Sequence, residues 1–430
     1  MRDMARIVTL DHTIPMFEKD KICCAVFKET AYEVIIPKEG AEPGKLYAFI
    51  EADALLPVVP AWEFLRKRCY NETLDKFLIK PMKMGAKDFN GEKGEPVRSW
   101  GLAVTIDELP ITEGEKRRLK AGDDITEALG ILKYEPIEDA SPKKGEGKKA
   151  YPKWVKFCLF VPFLRWIGRI WQANHRNSAG GFPSHLISKS DETTLQNMKW
   201  VLDKYADADV IITAKMEGQS ATVAPDLVKN KIKSIFPCSR NNAYRLKCNN
   251  TFWNVMEKYD VANNIKKLAK ENSIIPVIQA EQCGPDIQQN IYCLKSPEWY
   301  VYTMKDALTG KQLSFDEMVA TAHRLGIPAV PMLASGKMKD FFPDVDTAIK
   351  WAENKFWTYK KGKFVADYTP QKGEKLWKDY FQWEGVVVRT LDYDKDNNVG
   401  CSFKIKNLEY ASHGLGKIHN ECAALLAVKR

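Results

Sequence analysis

The sequence predicts an α+β protein that begins with a small β-barrel. Three observations lead to this prediction. Short apolar segments separated by Pro, Gly and charged turns run through residues 1–138, which is typical of barrel strands. A segment rich in Pro, Gly and Lys follows, and beyond residue 190 strand and helix patterns alternate, as they do in α+β domains. At 430 residues, the chain is long enough for two or three domains with separate cores.

Four short strand candidates predict the N-terminal domain. They span residues 22–27, 32–36, 46–50 and 100–104. We interpret the domain as a five-stranded OB-like barrel, because barrels of this kind bind nucleic-acid strands through a basic face. The strand pattern by itself fits an SH3-like barrel as well. Cys23 and Cys24 lie within the first candidate, and we expect both in the core as small apolar residues.

Residues 140–149 read Ala-Ser-Pro-Lys-Lys-Gly-Glu-Gly-Lys-Lys and are predicted to be a linker. We therefore expect three parts: a nucleic-acid-binding OB-like domain at 1–138, a linker with an aromatic and basic connecting segment at 139–180, and a catalytic domain at 181–430. The stretch 151–174 fits two interpretations equally, a nucleic-acid contact or a segment held by buried aromatic rings. Its most apolar part, 158–171, is too short for a membrane span and predicts a buried or docking helix.

Composition narrows the partners and the compartment. The net charge of +9, from 65 basic and 56 acidic residues, favours a polyanion such as nucleic acid over an acidic protein surface. None of the ten cysteines forms a Cys-x-x-Cys pair, so there is no zinc signature, and we expect reduced thiols in an intracellular compartment. The sequence shows no signal peptide and no membrane segment.

Capping residues predict two helices in the C-terminal domain. Ser190 is expected to cap a helix whose apolar face runs from Leu195 to Tyr205 and which leads into the next strand. Asp191 and Glu192 are assigned to the first turn of this helix, where the helix dipole favours negative charge. Ser314 and Glu317 form a capping-box pattern, and Gly326 is placed to end the helix that follows them.

Lys215 is the candidate nucleophile, because it follows the apolar strand pattern 210–214 directly and is followed by Met216, Glu217 and Gly218. A lysine three residues before a glycine is weak as a signal, since it more often marks a charged strand end before a turn. Further motifs downstream strengthen it. They are Cys238-Ser239-Arg240-Asn241, Ile278-Gln279-Ala280-Glu281, Trp299-Tyr300-Val301-Tyr302, Glu384-Gly385-Val386-Val387-Val388-Arg389 and Phe403-Lys404-Ile405-Lys406.

Together these motifs place two carboxylates, an arginine, an aromatic ring and three lysines on strand-like segments, which is what a polyphosphate site needs. The ordered set, from Lys189 to Lys406, resembles the covalent nucleotidyltransferase superfamily of ATP-dependent ligases and capping enzymes. Within it the chain is most similar to RNA ligases of the Deinococcus type, which carry an OB domain at the N-terminus. Too few residues follow Lys406 for the C-terminal barrel that DNA ligases and capping enzymes usually have.

The resemblance implies a catalytic domain of antiparallel sheets flanked by helices, and a three-step reaction. Lys215 would attack the α-phosphate of ATP, AMP would pass to an RNA 5′-phosphate, and a 3′-hydroxyl would then displace AMP and seal the strand. It further implies Mg²⁺ or Mn²⁺, an RNA substrate sealed preferentially at nicks in duplexes, recognition of RNA on the 3′ side, and a monomer.

The site residues follow from these roles. The catalytic candidates are Lys215, Glu384, Lys404 and Lys406. The nucleotide-binding candidates are Ala214, Glu217, Gly218, Arg240, Glu281, Tyr302, Lys404 and Lys406. The metal candidates are Glu281 and Glu384, since hard oxygen ligands suit these ions.

Each role has a physical reason. The ordinary lysine pKa of about 10.4 must fall for Lys215 to attack, and we expect Lys404 and Lys406, on one face of a strand, to lower it. Arg240 offers a planar fork for phosphate, and Gly218 is expected to allow a tight turn. Tyr302 is the better candidate to stack on adenine, but the pattern does not separate it from Tyr300.

Two positions depart from the family pattern. Glu217 stands where the nucleophile motif usually has Asp, and Thr303 stands where an acid often follows the stacking aromatic residue. Three hypotheses therefore stay open: an RNA ligase, an RNA-capping guanylyltransferase, and a catalytically inactive nucleic-acid-binding scaffold.

Overall fold

The computed structural model describes residues 4–134, 158, 160–161, 179–272, 274–288, 290, 292, 294–353, 356–360, 363–368, 380–382 and 384–407. The chain divides into two compact units. One consists of Met1–Ile137 together with Thr194–Asp203, and the other consists of Glu138–Thr193 together with Lys204–Arg430. The predicted linker at 140–149 lies outside the described residues, as does nearly all of the segment 151–174.

The N-terminal unit is built on an antiparallel, barrel-like sheet of seven strands. In order across the sheet, β10, β4, β1, β2 and β3 are neighbours, and β8 pairs with both β1 and β9. A smaller sheet has the order β11, β5, β7, β6. The strands are β1 (Ala5–Met16), β2 (Lys19–Phe27), β3 (Val34–Pro37), β4 (Leu46–Glu51), β5 (Ala54–Leu56), β6 (Tyr70–Asn71), β7 (Lys76–Leu78), β8 (Met82–Phe89), β9 (Glu92–Ser99), β10 (Gly101–Thr105) and β11 (Leu132–Lys133).

All four strands predicted for this unit are confirmed, as β2, β3, β4 and β10. The strand β1 was missed because Asp11, His12 and Pro15 interrupt its apolar alternation. Register shifts next to His12 and Met16 let this long strand bend, so that it pairs with β4 through its first half and with β2 and β8 beyond it. The bend is what curls the sheet towards a barrel.

Short helices and a main apolar core complete this unit. Helix α1 spans Arg66–Cys69 and follows a 3₁₀ turn at Pro60–Leu65, and α2 spans Glu113–Lys116. Fully buried Trp62 and Phe77 lie in the main core, with residues from β1, β4 and β5. Cys23 and Cys24 are buried, as expected.

The helix predicted from Ser190 is wrong. The structure has a strand β13 (Thr193–Thr194), a 3₁₀ turn at Leu195–Asn197 and only a short helix α3 (Trp200–Lys204). The main-chain carbonyl of Gln196 instead accepts a hydrogen bond of 2.9 Å from the Ala31 N–H of the N-terminal unit. Tertiary pairing of this segment outweighs its helical pattern.

The C-terminal unit contains a six-stranded antiparallel sheet, which we call sheet A, with the order β12, β17, β16, β15, β18, β19. A second antiparallel sheet, sheet B, includes β25, β24, β14 and β20 in that order, and a third has the order β22, β21, β23. The strands are β12 (Ala179–Gly181), β14 (Asp209–Ala214), β15 (Gln219–Val228), β16 (Lys231–Cys238), β17 (Asn242–Tyr244), β18 (Pro276–Cys283), β19 (Glu298–Asp306), β20 (Met332–Lys337), β21 (Phe356–Lys360), β22 (Lys363–Tyr368), β23 (Tyr380–Gln382), β24 (Gly385–Thr390) and β25 (Ser402–Lys406).

Helices cover one face of sheet A. They are α4 (Thr251–Lys258), α5 (Val261–Asn272) and α6 (Phe315–Leu325), and their apolar residues share a core with β15, β18 and β19. The predicted capping box of α6 is confirmed, as is its left-handed end at Gly326. Two further helices, α7 (Met338–Phe341) and α8 (Val345–Glu353), follow β20. The fold is therefore the predicted α+β class. Among the described residues, no helix combines the length and the apolar character that a membrane crossing requires.

Candidate active site

Lys215 lies where the chain passes from one sheet to the other. Strand β14 of sheet B ends at Ala214, and β15 of sheet A begins at Gln219. The connection between them, Lys215 to Gly218, therefore belongs to both sheets. Side chains of sheet B that lie on the same face as Lys215 can therefore contact side chains of sheet A at this connection.

The amine of Lys215 forms an ion pair with Oε1 of Glu384. The backbone explains the pairing, because the Lys215 N–H donates to the carbonyl of Gly385 over 2.9 Å, next to the glutamate. On the other side, the Asn407 N–H donates to the carbonyl of Glu384 over 3.0 Å. Three adjacent strand ends thus place these two side chains together, as the sequence predicted for residues of one site.

Two glycines allow the strands to come this close. A Cβ atom on Gly385, whose φ is 149°, would lie 2.1 Å from the carbonyl oxygen of Ile405. A Cβ on Gly218 would lie 2.4 Å from the carbonyl oxygen of Gln282. The chain bends at Glu217 and Gly218 without a positive φ at the glycine, and the close approach of β18 is a further reason for glycine there.

Carboxylates dominate the electrostatics around the nucleophile. Burial by itself lowers the pKa of Lys215, but Glu384, followed by Glu281 and Glu217, raises it above its ordinary value. The expectation that Lys404 and Lys406 lower this pKa is not met in the protein without nucleotide. Burial raises the pKa of Glu281 to about 8, with Lys215 opposing and Glu384 adding to the shift.

Lys404 and Lys406 lie on the face of sheet B that also carries Lys215. Lys406 pairs with Gly385, and Lys404 pairs with Val387, which in turn pairs with Thr213 of β14. Side chains two residues apart on a strand point to the same side, as predicted. Two strand spacings separate each lysine from β14, which is roughly 10 Å across the sheet.

Arg240 and Lys404 meet through a carboxylate that the sequence did not single out. Asp191 accepts a hydrogen bond of 3.2 Å from Arg240 NH2, and its other oxygen lies 3.9 Å from the amine of Lys404. The Arg240 NH1 group also donates to the carbonyl of Ser190 over 3.3 Å. Asp191 was assigned only to a helix start, and no local signal reveals the role that the fold gives it.

Tyr300 and Tyr302 are separated by their surroundings. Tyr300 is 7% exposed, and its hydroxyl donates to Glu298 over 3.3 Å. Tyr302 is half-buried, its hydroxyl lies 2.6 Å from Ser190 Oγ, and burial followed by Glu281 raises its pKa to about 12. The geometry therefore favours Tyr302 for stacking on a base.

The two remaining candidates flank the nucleophile in the chain. Ala214 is buried, and its N–H donates to the carbonyl of Pro331 over 3.0 Å. Glu217 is 5% exposed, and its main-chain N–H donates to the hydroxyl of Tyr292 over 2.6 Å. Both are therefore fixed in position by neighbours outside the motif.

The carboxylates of this site suit a hard cation such as Mg²⁺ only when phosphate oxygens complete its coordination. Among the described residues, no group of three or more His, Cys, Asp or Glu side chains is arranged to hold a metal ion. Glu281 and Glu384 are nevertheless two carboxylates close enough to interact, and burial disfavours the charge of Glu281. One or two carboxylates completed by phosphate oxygens and water is the usual arrangement for Mg²⁺. The residues therefore fit a cation that binds together with a nucleotide.

Comparisons with known proteins agree with this arrangement. Residues 208–406 match the RNA ligase family model. No curated protein sequence matches the chain. A Naegleria gruberi RNA ligase variant solved with AMP and Mn is 20% identical, with 95% of this chain and 98% of that chain covered and a TM-score of 0.67.

Two further structures of the Naegleria gruberi RNA ligase are similar to the same degree. A variant with ATP and Mn is 20% identical over 98% of both chains, and the protein with PPi is 20% identical over 97% of this chain and 99% of that one, each with a TM-score of 0.67. At this identity the structures establish the fold. Residues 208–406 thus resemble an RNA ligase domain, and this match spans less than half of the chain. The Deinococcus-type subgroup stays a prediction.

Proposed function

We propose that this chain, with its RNA ligase domain at 208–406, is an ATP-dependent RNA ligase that works through an AMP adduct on Lys215. One observation carries the proposal. The Lys215 amine lies in the connection between the two sheets, paired with Glu384 and close enough to Glu281 and Glu217 to feel their charge. Lys404 and Lys406 lie on the same face of sheet B. A nucleophilic amine between carboxylates and cations is suited to nucleotidyl transfer.

In the first step, the Lys215 Nζ attacks the α-phosphorus of ATP. A phosphorus–nitrogen bond forms, the bond from the α-phosphorus to the bridging oxygen breaks, and pyrophosphate leaves. The ammonium must lose a proton beforehand, and Glu384 Oε1, its hydrogen-bond partner, is the acceptor within reach. The similar ligase structures contain ATP, AMP or PPi, the reactant and products of such a step.

The cationic groups have a separate task. We assign Arg240 and the pair Lys404 and Lys406 to the phosphates, whose charge grows on the leaving group as the bond breaks. The carboxylate of Asp191, which accepts from Arg240, holds that guanidinium in position until phosphate arrives. Positioning and charge neutralisation supply most of the catalysis in phosphoryl transfer.

Two further transfers complete the reaction. An oxygen of the RNA 5′-phosphate attacks the phosphorus of the adduct, the bond to Lys215 breaks, and the lysine is regenerated. The 3′-hydroxyl then attacks the 5′-phosphate, AMP leaves, and a phosphodiester is formed. The RNA ends and ATP are the reactants that this balance requires.

Mg²⁺ or Mn²⁺ would be held by Glu281 and Glu384 together with phosphate oxygens, and when bound it offsets the negative charge that gathers there. A bound cation would supply positive charge beside these carboxylates and would thereby oppose their raising of the pKa of Lys215. The similar structures with Mn support the use of a divalent cation.

The RNA is bound with help from the N-terminal unit in this proposal. The barrel-like sheet and the net charge of +9 support a polyanionic partner. We expect sealing at nicks in duplexes, with the 2′-hydroxyl on the 3′ side read as RNA, and a monomeric protein in a reducing intracellular compartment. The functional division at 1–138, 139–180 and 181–430 is part of the same proposal.

Covalent labelling tests the nucleotide step. The protein is incubated with radiolabelled ATP or GTP and Mn²⁺, denatured, and assayed for retained label. We expect label from ATP, complete loss in Lys215→Ala, and no loss in Lys337→Ala, a matched lysine that pairs with Asp209 in the same sheet. Label from GTP alone would identify a capping enzyme instead, and no label with either nucleotide would identify a scaffold.

A further inference from the structure

Arg389 is a partly buried cation beside the proposed base-stacking ring, and its motif in the sequence gives it no role. Its NH1 group donates to the carbonyl of Tyr302 over 2.7 Å and to Thr303 Oγ1 over 3.0 Å. Its NH2 group donates to Glu192 Oε1 over 2.8 Å, and its Nε donates to Ser402 Oγ over 3.2 Å. All three guanidinium nitrogens are therefore engaged, and the planar group has a fixed orientation.

Tyr302 needs this support because it lies in a β-bulge. In the pairing of β19 with β18, Val301 is opposite Ala280 and Thr303 is opposite Gln279, so Tyr302 is the extra residue without a partner. The strand pairing thus leaves the main-chain carbonyl of Tyr302 available to accept a hydrogen bond from Arg389. The guanidinium carbon also lies 5.7 Å from the centre of the Tyr302 ring, within range of a cation–π interaction.

A buried guanidinium requires a carboxylate, and Glu192 supplies it. The two side chains are 19% and 14% exposed, so water screens the pair poorly. Burial alone would raise the pKa of Glu192, but Arg389 and the hydroxyl of Ser402 hold it below the ordinary value. Glu192 comes from the segment before β13, far from Arg389 in the chain.

We propose that Glu192 and Arg389 are positioning residues for the nucleotide, which hold the bulged Tyr302 so that its ring can receive the base. The inference rests on the proposed function, since it concerns where ATP binds. Neither residue touches the reacting phosphorus. Their loss should weaken ATP binding and leave the chemical step largely intact.

Thr303 shows how the charge is arranged in this chain. It stands where the family pattern has an acid, and its hydroxyl accepts from the same guanidinium that Glu192 neutralises. A carboxylate at position 303 would contact Nη1 of Arg389, whereas Glu192 contacts Nη2. Glu192 therefore neutralises a guanidinium that an acid at 303 could also reach, and an acid placed at 303 should replace it.

The test uses the full-length protein and single-turnover formation of the covalent AMP adduct at varied ATP concentration. In Glu192→Gln we expect the ATP concentration for half-maximal rate to rise about tenfold, from the loss of a charge-assisted hydrogen bond. The maximal rate should stay within about threefold of the wild type. A general loss of structure would lower the maximal rate as well.

Rescue and a matched control complete the design. The double variant with Glu192→Gln and Thr303→Asp should recover at least half of the ATP affinity that Glu192→Gln alone loses, when affinities are compared on a logarithmic scale. Glu271→Gln removes an exposed glutamate that accepts from Arg324 over 2.7 Å, and it should leave ATP affinity unchanged. Should Glu192→Gln fail to fold, Thr303→Val removes one hydrogen bond from Arg389 and should raise the half-maximal ATP concentration about threefold.

The outcomes are distinguishable. Unchanged ATP affinity in folded Glu192→Gln overturns the inference, and so does a loss that Thr303→Asp cannot rescue. If Thr303→Val is the deciding variant, unchanged ATP affinity overturns it likewise. A wild-type protein that forms no adduct with ATP contradicts the proposed function itself.

Discussion

Individual side chains in this site have properties that their neighbours impose. Lys215, the proposed nucleophile, must lose its proton to attack, yet its carboxylate neighbours raise its pKa. Glu281 is an acid whose pKa burial raises to about 8. The raised pKa of Glu281 means that holding its carboxylate charged in the fold costs stability.

Glu281→Gln should show this cost as a pH-dependent stability. The folded-state pKa of Glu281 is raised, so between its ordinary value near 4.5 and about 8 the native state binds more protons than the unfolded state. The stability associated with this carboxyl therefore falls as pH rises through that window. We expect Glu281→Gln to gain about 1–2 kcal/mol in unfolding free energy relative to the wild type between pH 5 and pH 8.

Urea unfolding at several pH values measures this difference. The exposed Glu271→Gln serves as the control and should show a difference that does not depend on pH. If the difference in unfolding free energy between Glu281→Gln and the wild type does not change with pH, the carboxylate is stabilised in the fold by groups other than those around Lys215.

At the scale of secondary-structure elements, the site depends on how closely strand ends approach one another. Gly385 brings β24 against β25 and fixes Lys215 through its carbonyl. The β24–β25 turn is attached to sheet A by buried Lys305, which pairs with Asp396 and lies 3.4 Å from Asp394. The two sheets that hold the nucleophile are thereby linked at both ends of β24.

Gly385→Ala should destabilise the protein by about 3 kcal/mol or more, because a backbone clash at 2.1 Å requires strands to separate. Gly310→Ala is the matched control. Its φ is also positive, at 73°, but nothing lies within 4 Å of the added atom, so the cost should be about 1 kcal/mol. Thermal and urea unfolding compare the two variants. Equal losses would show that strain in φ, and not strand approach, is what Gly385 relieves.

Lys305→Met should cost about 3–5 kcal/mol, because it leaves two partly buried carboxylates without their cation. Lys258→Met, which removes an ion pair of 3.0 Å near the surface, should cost less than about 1 kcal/mol. Burial raises the pKa of Asp394 and Asp396, but Lys305 and nearby hydrogen bonds bring both below the ordinary value. Their stabilisation is thus present at neutral pH and is lost as pH falls below about 4.

An acid titration of stability distinguishes the two lysine variants. The acid-dependent loss should be smaller in Lys305→Met than in the wild type and unchanged in Lys258→Met. Equal costs for the two substitutions at neutral pH would contradict the role assigned to Lys305.

At the scale of the whole molecule, the division into two units predicts that RNA binding and formation of the AMP adduct can be altered separately. The N-terminal unit exposes Phe64, at 61%, beside the basic residues Lys67 and Arg68 of α1. An aromatic ring among cations is a common surface for nucleic acid. Deleting residues 1–138 would test RNA binding by this unit less well than point substitutions. Gln196 and Asn197 belong to the same unit, are buried against residues of that segment and would become exposed.

Replacing Lys67 and Arg68 with Gln should weaken sealing of a nicked RNA duplex several-fold at about 0.1 M salt and leave formation of the AMP adduct unchanged. The defect should shrink as salt rises, because each counterion released on binding then contributes less free energy. Arg117→Gln with Arg118→Gln removes the same charge elsewhere on this unit and serves as the control. An identical defect in both variants would indicate general charge attraction in place of a specific surface.

The sequence by itself indicated the candidate nucleophile, the order of the motifs and the strands that carry them. These features are local, since a strand pattern with a polar residue at its end can be read within ten residues. Only the tertiary structure decided that Asp191 holds Arg240 and that Glu192 pairs with Arg389, 197 positions away. The sequence assigned both acids to the start of a helix, because a helix N-terminus also attracts negative charge. In the fold, buried arginines attract them more strongly, and no local pattern records which distant cation a carboxylate will meet.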